Sequence, residues 1–312
     1  MTARRLPILL LLAAGFALLG AGRGIAQDEE TAGYSRNGAD SCLGCHEDAV
    51  TLAVFRTPHA VPSDPDSPFG HGQLQCEACH GPGGAHAGRV RRGQERPAIL
   101  NFDDDSGYTV EQQNAQCLDC HGDTLAAGWH NGAHPADEVG CADCHNSHAA
   151  RDPVLTAAGQ AEVCFDCHRL QQNAARRPFA HPVADGRMEC TSCHAVHGET
   201  VAQALAQETV NATCEQCHAE KRGPYLWEHA PVSEDCGLCH DPHGSSHPGM
   251  LTRRGPQLCQ GCHAQAGHPS VALSADGLPG AVPSRLLLGQ NCLNCHSQVH
   301  GSNHPSGSRL MR

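Results

Sequence analysis

Apolar residues form one sustained run in this chain, at its start. Leu6 to Leu19 is predominantly apolar over about fourteen residues, follows Arg4 and Arg5, and leads to the small-residue stretch Gly24-Ile25-Ala26 before Gln27. Charged head, apolar centre and small-residue end are the three regions of a secretory signal. The run falls short of the roughly 18 residues of a membrane-spanning helix, so an uncleaved anchor is the weaker reading. Residues 1–26 are therefore expected to be a cleaved signal peptide and residues 27–312 the exported chain. Nothing after Ala26 resembles a membrane helix. The pattern beyond it predicts short helical turns, with Val110 to His121 and Gln257 to His263 as examples, joined by loops with little or no β-sheet.

Composition sharpens this picture. Aromatic residues make up 4% of the chain, while glycine and proline number 34 and 20. So few large apolar side chains do not build an ordinary core, and the 20 cysteines and 24 histidines indicate what is buried instead. Removing residues 1–26 leaves 18 basic against 33 acidic side chains, a net charge of −15. A nucleic-acid partner is excluded by that balance. It suits a solvated surface that meets a basic or polar partner.

All 20 cysteines fall into C-x-x-C pairs, and a histidine follows every pair. The thiols are Cys42/Cys45, Cys76/Cys79, Cys117/Cys120, Cys141/Cys144, Cys164/Cys167, Cys190/Cys193, Cys214/Cys217, Cys236/Cys239, Cys259/Cys262 and Cys292/Cys295. The histidines are His46, His80, His121, His145, His168, His194, His218, His240, His263 and His296. At this histidine frequency ten such coincidences have a chance of about 10⁻¹¹, so the pattern is chemical. Disulfides would not need the histidines, and zinc held by four cysteines would not either. C-x-x-C-H is the attachment motif of c-type haem: two thiols for the vinyl groups and the proximal imidazole for iron. On a helical turn positions i, i+3 and i+4 share a face, so all three groups can meet one macrocycle. Ten covalently bound haem c groups are expected.

The motifs pair into five two-haem cassettes, at about 42–86, 117–148, 164–197, 214–243 and 259–300. The last three intervals between cassette starts are 47, 50 and 45 residues, and the first is 75 because of an insertion at 87–116. Such a period means an elongated linear array, not one globular core. A second loop rich in glycine and proline runs from His268 to Gln290. With about 29 residues for each haem, the apo-chain is expected to be largely disordered.

Fourteen histidines lie outside the motifs, and the repeat assigns ten of them as distal iron ligands. His59, His134, His181, His229 and His268 fall between the two motifs of a cassette or just after the first. His86, His148, His197, His243 and His300 follow the second motif. A histidine three residues past a proximal one, as His148 is past His145, does not easily reach the opposite haem face. It is expected to serve a neighbouring haem and so to stitch the array together. His71 competes with His59 and His130 with His134, while His247 and His304 are read as surface residues. Only Met188, Met250 and Met311 remain after export, so bis-histidine ligation is expected, with low potentials and no open coordination site. No catalytic residue is assigned, and the chain reads as an electron carrier.

Several segments resemble the MtrA/PioA/DmsE family of periplasmic decahaem cytochromes. They are AEKRGPYLWEHAPVSEDC (219–236), GMLTRRGPQLCQGCH (249–263) and NCLNCHSQVHGSNHPSG (291–307), with CEACHGPGGAHAG (76–88) and CADCHNSHAARDPVL (141–155) fitting the same pattern. His247 looks like a departure from it. The resemblance implies an electron conduit seated partly inside an outer-membrane β-barrel porin. It implies partners on both sides: periplasmic or inner-membrane carriers, and an extracellular multihaem cytochrome or reductase. Family members serve metal oxide reduction, iron(II) oxidation or dimethyl sulfoxide respiration. An apolar barrel band of about 25 Å is short enough for such a chain to thread. A soluble periplasmic shuttle or store without a porin is the alternative.

Overall fold

The computed structural model describes residues 33–103, 106–123, 128–198, 204–263 and 291–312. The signal-peptide reading, His268 and the loop to Gln290 lie outside these residues. Among the described residues the chain is helix, turn and loop, and its only β pairing is four isolated bridges. No helix there is long and apolar enough to cross a membrane.

The first motif of each cassette ends a helix, and capping fixes where most of these helices begin. They are α1 (Ala39–Leu43), α5 (Val110–His121), α8 (Ala157–Cys167), α10 (Val210–Cys214) and α12 (Gly255–Gln260). Thr109, Thr156 and Thr209 cap α5, α8 and α10, each hydroxyl accepting a backbone N–H of the first turn. Gln112 returns the bond in α5 and completes a capping box, whose two bonds stabilise the start of this 12-residue helix. Helix α5 has the bounds expected from sequence. Helix α12 starts at Gly255 with a proline in its first turn and stops at Gln260, so His263 lies beyond it.

Second motifs sit on shorter pieces: α3 (Glu77–His80), α7 (Cys141–Cys144), and 3₁₀ turns at Cys190–Ser192, Cys236–Leu238 and Cys292–Asn294. A side-chain amide from the first-motif helix holds each turn in three cassettes. Asn114 Oδ1 accepts the Cys141 N–H at 2.8 Å, Asn211 Oδ1 that of Cys236 at 2.7 Å, and Gln160 Oε1 that of Thr191 at 3.1 Å. The first cassette reverses the direction, with Gln75 Oε1 accepting from the Ala39 N–H at 2.6 Å. Of these amides Asn114 and Gln160 are buried, which is tolerated because each meets a backbone donor.

The ordinary core is slight. Among the described residues Ala39, Val54, Leu100, Trp129, Ala161, Phe165 and Ala174 are the buried apolar ones, and no large side chain there is below 2% exposed. Buried polar residues are as prominent. Glu77, 4% exposed, accepts from the Ser35 N–H at 2.8 Å, the Ser35 hydroxyl at 2.7 Å and the Gly83 N–H at 2.7 Å. The insertion after His86 does more than cover surface. Its Pro97 and Leu100 carbonyls accept from His86 and His80 Nδ1, each at 2.8 Å.

Candidate haem sites

In nine of the motifs the histidine N–H donates to the carbonyl of the first cysteine at 2.8–3.0 Å, and in the tenth the motif lies inside α5. This closed turn gathers the two thiols and the imidazole, as the spacing requires.

Nine of the ten motif imidazoles then face a lone histidine from elsewhere in the chain. Ring centroids stand 6.3 Å apart for His46–His86, 6.3 Å for His80–His148, 6.1 Å for His59–His121 and 5.9 Å for His145–His197. The series continues with His134–His168 at 6.2 Å, His194–His243 at 6.0 Å and His181–His218 at 6.3 Å. It ends with His240–His300 and His229–His263, both at 6.1 Å. A metal–imidazole bond is about 2.0–2.1 Å, so two imidazoles on opposite sides of one ion place their centroids about 6 Å apart. All nine pairs meet that distance, so the residues fit an iron between each pair. The tenth motif histidine is His296.

The pairing follows one rule. Histidines between two motifs reach forward to the first motif of the next cassette: His59 to His121, His134 to His168, His181 to His218 and His229 to His263. Those after the second motif reach back: His148 to His80, His197 to His145, His243 to His194 and His300 to His240. Adjacent cassettes are thus tied twice, in opposite senses. The first cassette has no predecessor, and there His86 folds back on its own His46. Of the competing candidates, His59 and His134 stand opposite motif histidines, whereas His71, His130 and His304 are exposed and His247 is partly buried.

Hydrogen bonds at the far ring nitrogen orient the rings. His134, His181 and His229 donate Nδ1 to the carbonyls of Val196, Pro242 and Val299, at 3.4, 3.0 and 2.9 Å. Each of those carbonyls belongs to the residue just before the histidine that reaches back the other way. Nδ1 of His240 and of His296 donates to the Gly249 and Arg309 carbonyls, both at 2.7 Å. Bonding Nδ1 leaves the Nε2 lone pair for a metal. His145 differs, because its Nδ1 meets the Asp152 carboxylate at 2.7 Å, and that side chain is 12% exposed. Burial, followed by the facing imidazole, lowers the pKa of His59, His148 and His243. For His300 burial leads, then Lys221. Neutral imidazole is the form that ligates.

Sequence reasoning passed over the glycine that follows three of these histidines. Gly198, Gly244 and Gly301 have φ of 76°, 131° and 134°. A Cβ on Gly198 would sit 2.8 Å from Gly132 Cα, and one on Gly301 would enter the Tyr225 ring. Beside them run the bridges Phe179↔Ser245 and Trp227↔Ser302. The indole of Trp227 donates to the His304 carbonyl at 3.0 Å, and the Tyr225 hydroxyl to that of Glu220 at 2.8 Å, so both pack locally. Trp129, 7% exposed, lies edge-on to His197 at 6.2 Å. The His-Gly dipeptide was the available signal.

All twenty thiols are free of disulfides, and their neighbours set the order of the motifs. Within a cassette the first cysteines meet. Cys117 is raised by its hydrogen bond with Cys141 and then by burial, and Cys164 likewise by Cys190 and burial. Cys76, Cys214 and Cys259 are pushed up to about 11, by burial first and then by Cys42, Cys236 and Cys292. Between cassettes the second cysteines are neighbours. Burial leads and the partner adds for Cys79 beside Cys120, Cys193 beside Cys217 and Cys239 beside Cys262. Cys144 is raised by burial, then Asp143, then Cys167. The alternation runs unbroken from Cys42 to Cys292 and places ten motifs in one line.

The thiols themselves do not form a core. None of them is fully buried, and Cys45, Cys120, Cys167, Cys217, Cys262 and Cys295 are exposed. All six are second cysteines, which follow the first by three residues and sit at or past the end of their helix or turn. Cys120, Cys167, Cys217 and Cys262 at least have a second cysteine of the adjoining cassette beside them. Cys45 and Cys295 belong to the first and last motifs, where the line ends and no further cassette stands alongside. Both keep the turn of their motif, since His46 and His296 still donate to the Cys42 and Cys292 carbonyls at 3.0 and 2.9 Å. An open thiol in a closed turn remains placed for thioether attachment, so exposure changes the burial of Cys45 and Cys295 but not their fit to the motif.

Known proteins share this pattern. The family model for a doubled CXXCH motif matches residues 181–223 and 229–268, and that for NrfB-like cytochrome c-type proteins matches residues 76–159. The doubled-motif frame begins on a lone histidine and includes the motif histidine facing it, His181 with His218 and His229 with His263. It cuts the same continuous repeat one motif later than the spacing-based cassettes. NrfB of Haemophilus influenzae is 29% identical over 126 residues, 36% of this chain and 52% of its own. The high-molecular-weight cytochrome c of Nitratidesulfovibrio vulgaris is 27% identical over 194 residues, 61% of this chain and 31% of its own. The multiheme cytochrome MtrA of Shewanella baltica is 46% identical over 282 residues, 89% of this chain and 83% of its own. With its C-x-x-C-H motifs for covalent haem c in one line, the chain belongs to the MtrA family of multihaem electron-transfer cytochromes.

Proposed function

We propose that the protein is a decahaem wire that carries electrons across the outer membrane from within a β-barrel porin. Its signal peptide, residues 1–26, would deliver it to the periplasm. There it would link periplasmic or inner-membrane carriers to an extracellular multihaem cytochrome or reductase, in metal oxide reduction, iron(II) oxidation or dimethyl sulfoxide respiration. The observation that carries this reading is the reciprocal pairing of imidazoles from each cassette to the next, which favours one continuous path. The 46% identity to a multiheme cytochrome supports it.

Haem c, when bound, supplies a one-electron iron couple at each motif. The chain does the rest. Thiols of the C-x-x-C pairs, from Cys42 and Cys45 to Cys292 and Cys295, anchor the groups. The motif histidines serve as proximal ligands, and His59, His86, His134, His148, His181, His197, His229, His243 and His300 serve as distal ones. His268 completes the proposed set for the tenth site. Nδ1 bonds hold these rings in place, and the reciprocal ties between cassettes keep neighbouring sites at fixed separation. Two imidazoles for each iron leave no position for substrate and, without a thioether ligand, favour low potentials.

Fractionation of native cells with haem staining tests the conduit. Retention with the outer membrane until detergent releases it together with a barrel protein is the expected result. Release with the periplasmic fraction would replace the conduit with a soluble shuttle.

A further inference from the structure

Charge is unevenly distributed along the line of motifs. Residues 27–241 hold 32 acidic and 13 basic side chains, whereas residues 242–312 hold five arginines and one acid, Asp276. Among the described residues of that last stretch there is no acid at all, and Arg253, Arg254, Arg309 and Arg312 are exposed. Five arginines before this stretch are neutralised locally: Arg169 by Asp166, Arg176 by Glu162, Arg177 by Asp241, Arg187 by Asp185 and Arg222 by Glu215. None of the four terminal arginines has such a partner among the described residues.

These arginines flank the last two motifs. Arg254 is the N-cap residue of α12, which carries Cys259. The Arg309 carbonyl accepts from His296 Nδ1 at 2.7 Å, and that of Arg312 accepts from the Ser302 hydroxyl. A net acidic chain thus carries exposed, unpaired arginines beside the last two of its ten C-x-x-C-H motifs. Unpaired arginines at full solvation attract carboxylates, and orientation by such a patch governs encounter rate more than affinity.

We propose that this basic end is a docking face for an acidic redox protein, which exchanges electrons with the last cassette. The proposal rests on the electron-wire reading and specifies the chemistry of one of its partners.

A reduced, acidic plant-type ferredoxin serves as the probe, mixed with the oxidised holoprotein in stopped flow across a range of ionic strength. Both molecules are net acidic, so their overall charges alone predict a rate that rises as salt screens repulsion. The docking face predicts the opposite, a second-order rate constant that falls with salt. The combined variant Arg253→Gln, Arg254→Gln, Arg309→Gln, Arg312→Gln should lower the low-salt rate by about tenfold or more and turn the slope upward. A parent rate that rises with salt overturns the proposal. So does a variant that keeps the parent's rate and slope, as when these side chains only neutralise haem propionates. The wire reading is checked separately in the same samples. Ferredoxin should eventually reduce all the haem that dithionite reduces, in parent and variant alike, and a shortfall in the parent would count against the wire itself.

Discussion

Replacing Gly244 with alanine should open one haem site and leave the others intact. Gly244 follows His243, the histidine facing His194, and has a φ of 131° that L side chains rarely adopt. An added Cβ would press into the Ala174 carbonyl oxygen and lie 2.9 Å from Ala180 Cβ. Neither neighbour yields easily. Ala174 is 8% exposed in α9 (Arg169–Ala175), and its carbonyl already accepts the Arg177 N–H at 3.0 Å. Gly244 is fixed as well, its carbonyl held by Arg177 Nη1 at 3.0 Å and the next residue bridged to Phe179. Relieving the clash takes a main-chain shift of roughly 1 Å, on top of about 1–3 kcal/mol of backbone strain. A metal–imidazole bond tolerates only about 0.2 Å, so the shift detaches His243 from its site. The purified variant should bind one carbon monoxide per chain when reduced and show high-spin character in about a tenth of its ferric haem. Gly93→Ala is the control, because φ there is 82° but nothing lies within 4 Å of the added carbon. A Gly244→Ala protein that binds no more carbon monoxide than Gly93→Ala would refute the claim that close approach fixes this ligand.

Other consequences follow from the same geometry. His59→Ala should open the site of Cys117–His121 and leave the first cassette's two sites six-coordinate; paramagnetic NMR assigned to the Cys42 or Cys76 haem instead would overturn the forward-reaching rule. Asp152→Asn removes the carboxylate behind His145 but keeps an acceptor, so one midpoint potential should rise. A charged hydrogen bond of about 1.5–3 kcal/mol corresponds to an upper bound near 60–120 mV for one electron, and an unchanged voltammogram would deny Asp152 any tuning role. Lowered folded pKa values at His59, His148, His243 and His300 mean that the unfolded chain binds protons first. Their contribution is complete above about pH 6.5 and declines as pH falls below it, so denaturation midpoints should drop on that side. Midpoints that rise on acidification would contradict this sign. Export without haem attachment should yield a chain with little helical circular dichroism, since so few apolar residues are buried.

Local chemistry was legible in the sequence and reciprocal geometry was not. A C-x-x-C-H motif closes within one helical turn, so reading five residues identifies the thiols and the proximal imidazole wherever they fold. How open each thiol stands was not readable that way, because the six pairs with an exposed second cysteine match the other four in spacing. The helix over Val110–His121 was visible, because Thr109 and Gln112 form its cap without tertiary help. Counting could show that lone histidines suffice for the irons, but partners such as His80 and His148 lie 68 residues apart in sequence, and nothing local links them. Their choice depends on which backbone can approach which: glycine after His197, His243 and His300, and a carbonyl beside each opposing ring. The bridging amides escaped notice for a related reason, since Asn114 and Asn211 resemble surface residues until a second motif turns back onto them. His86 makes the point most clearly. Its position fits the set that reaches back to a preceding cassette, yet the first cassette has none. Pro97 in the long insertion accepts its Nδ1, which lets it face His46. The insertion that broke the repeat in sequence is thus what closes the array at that end.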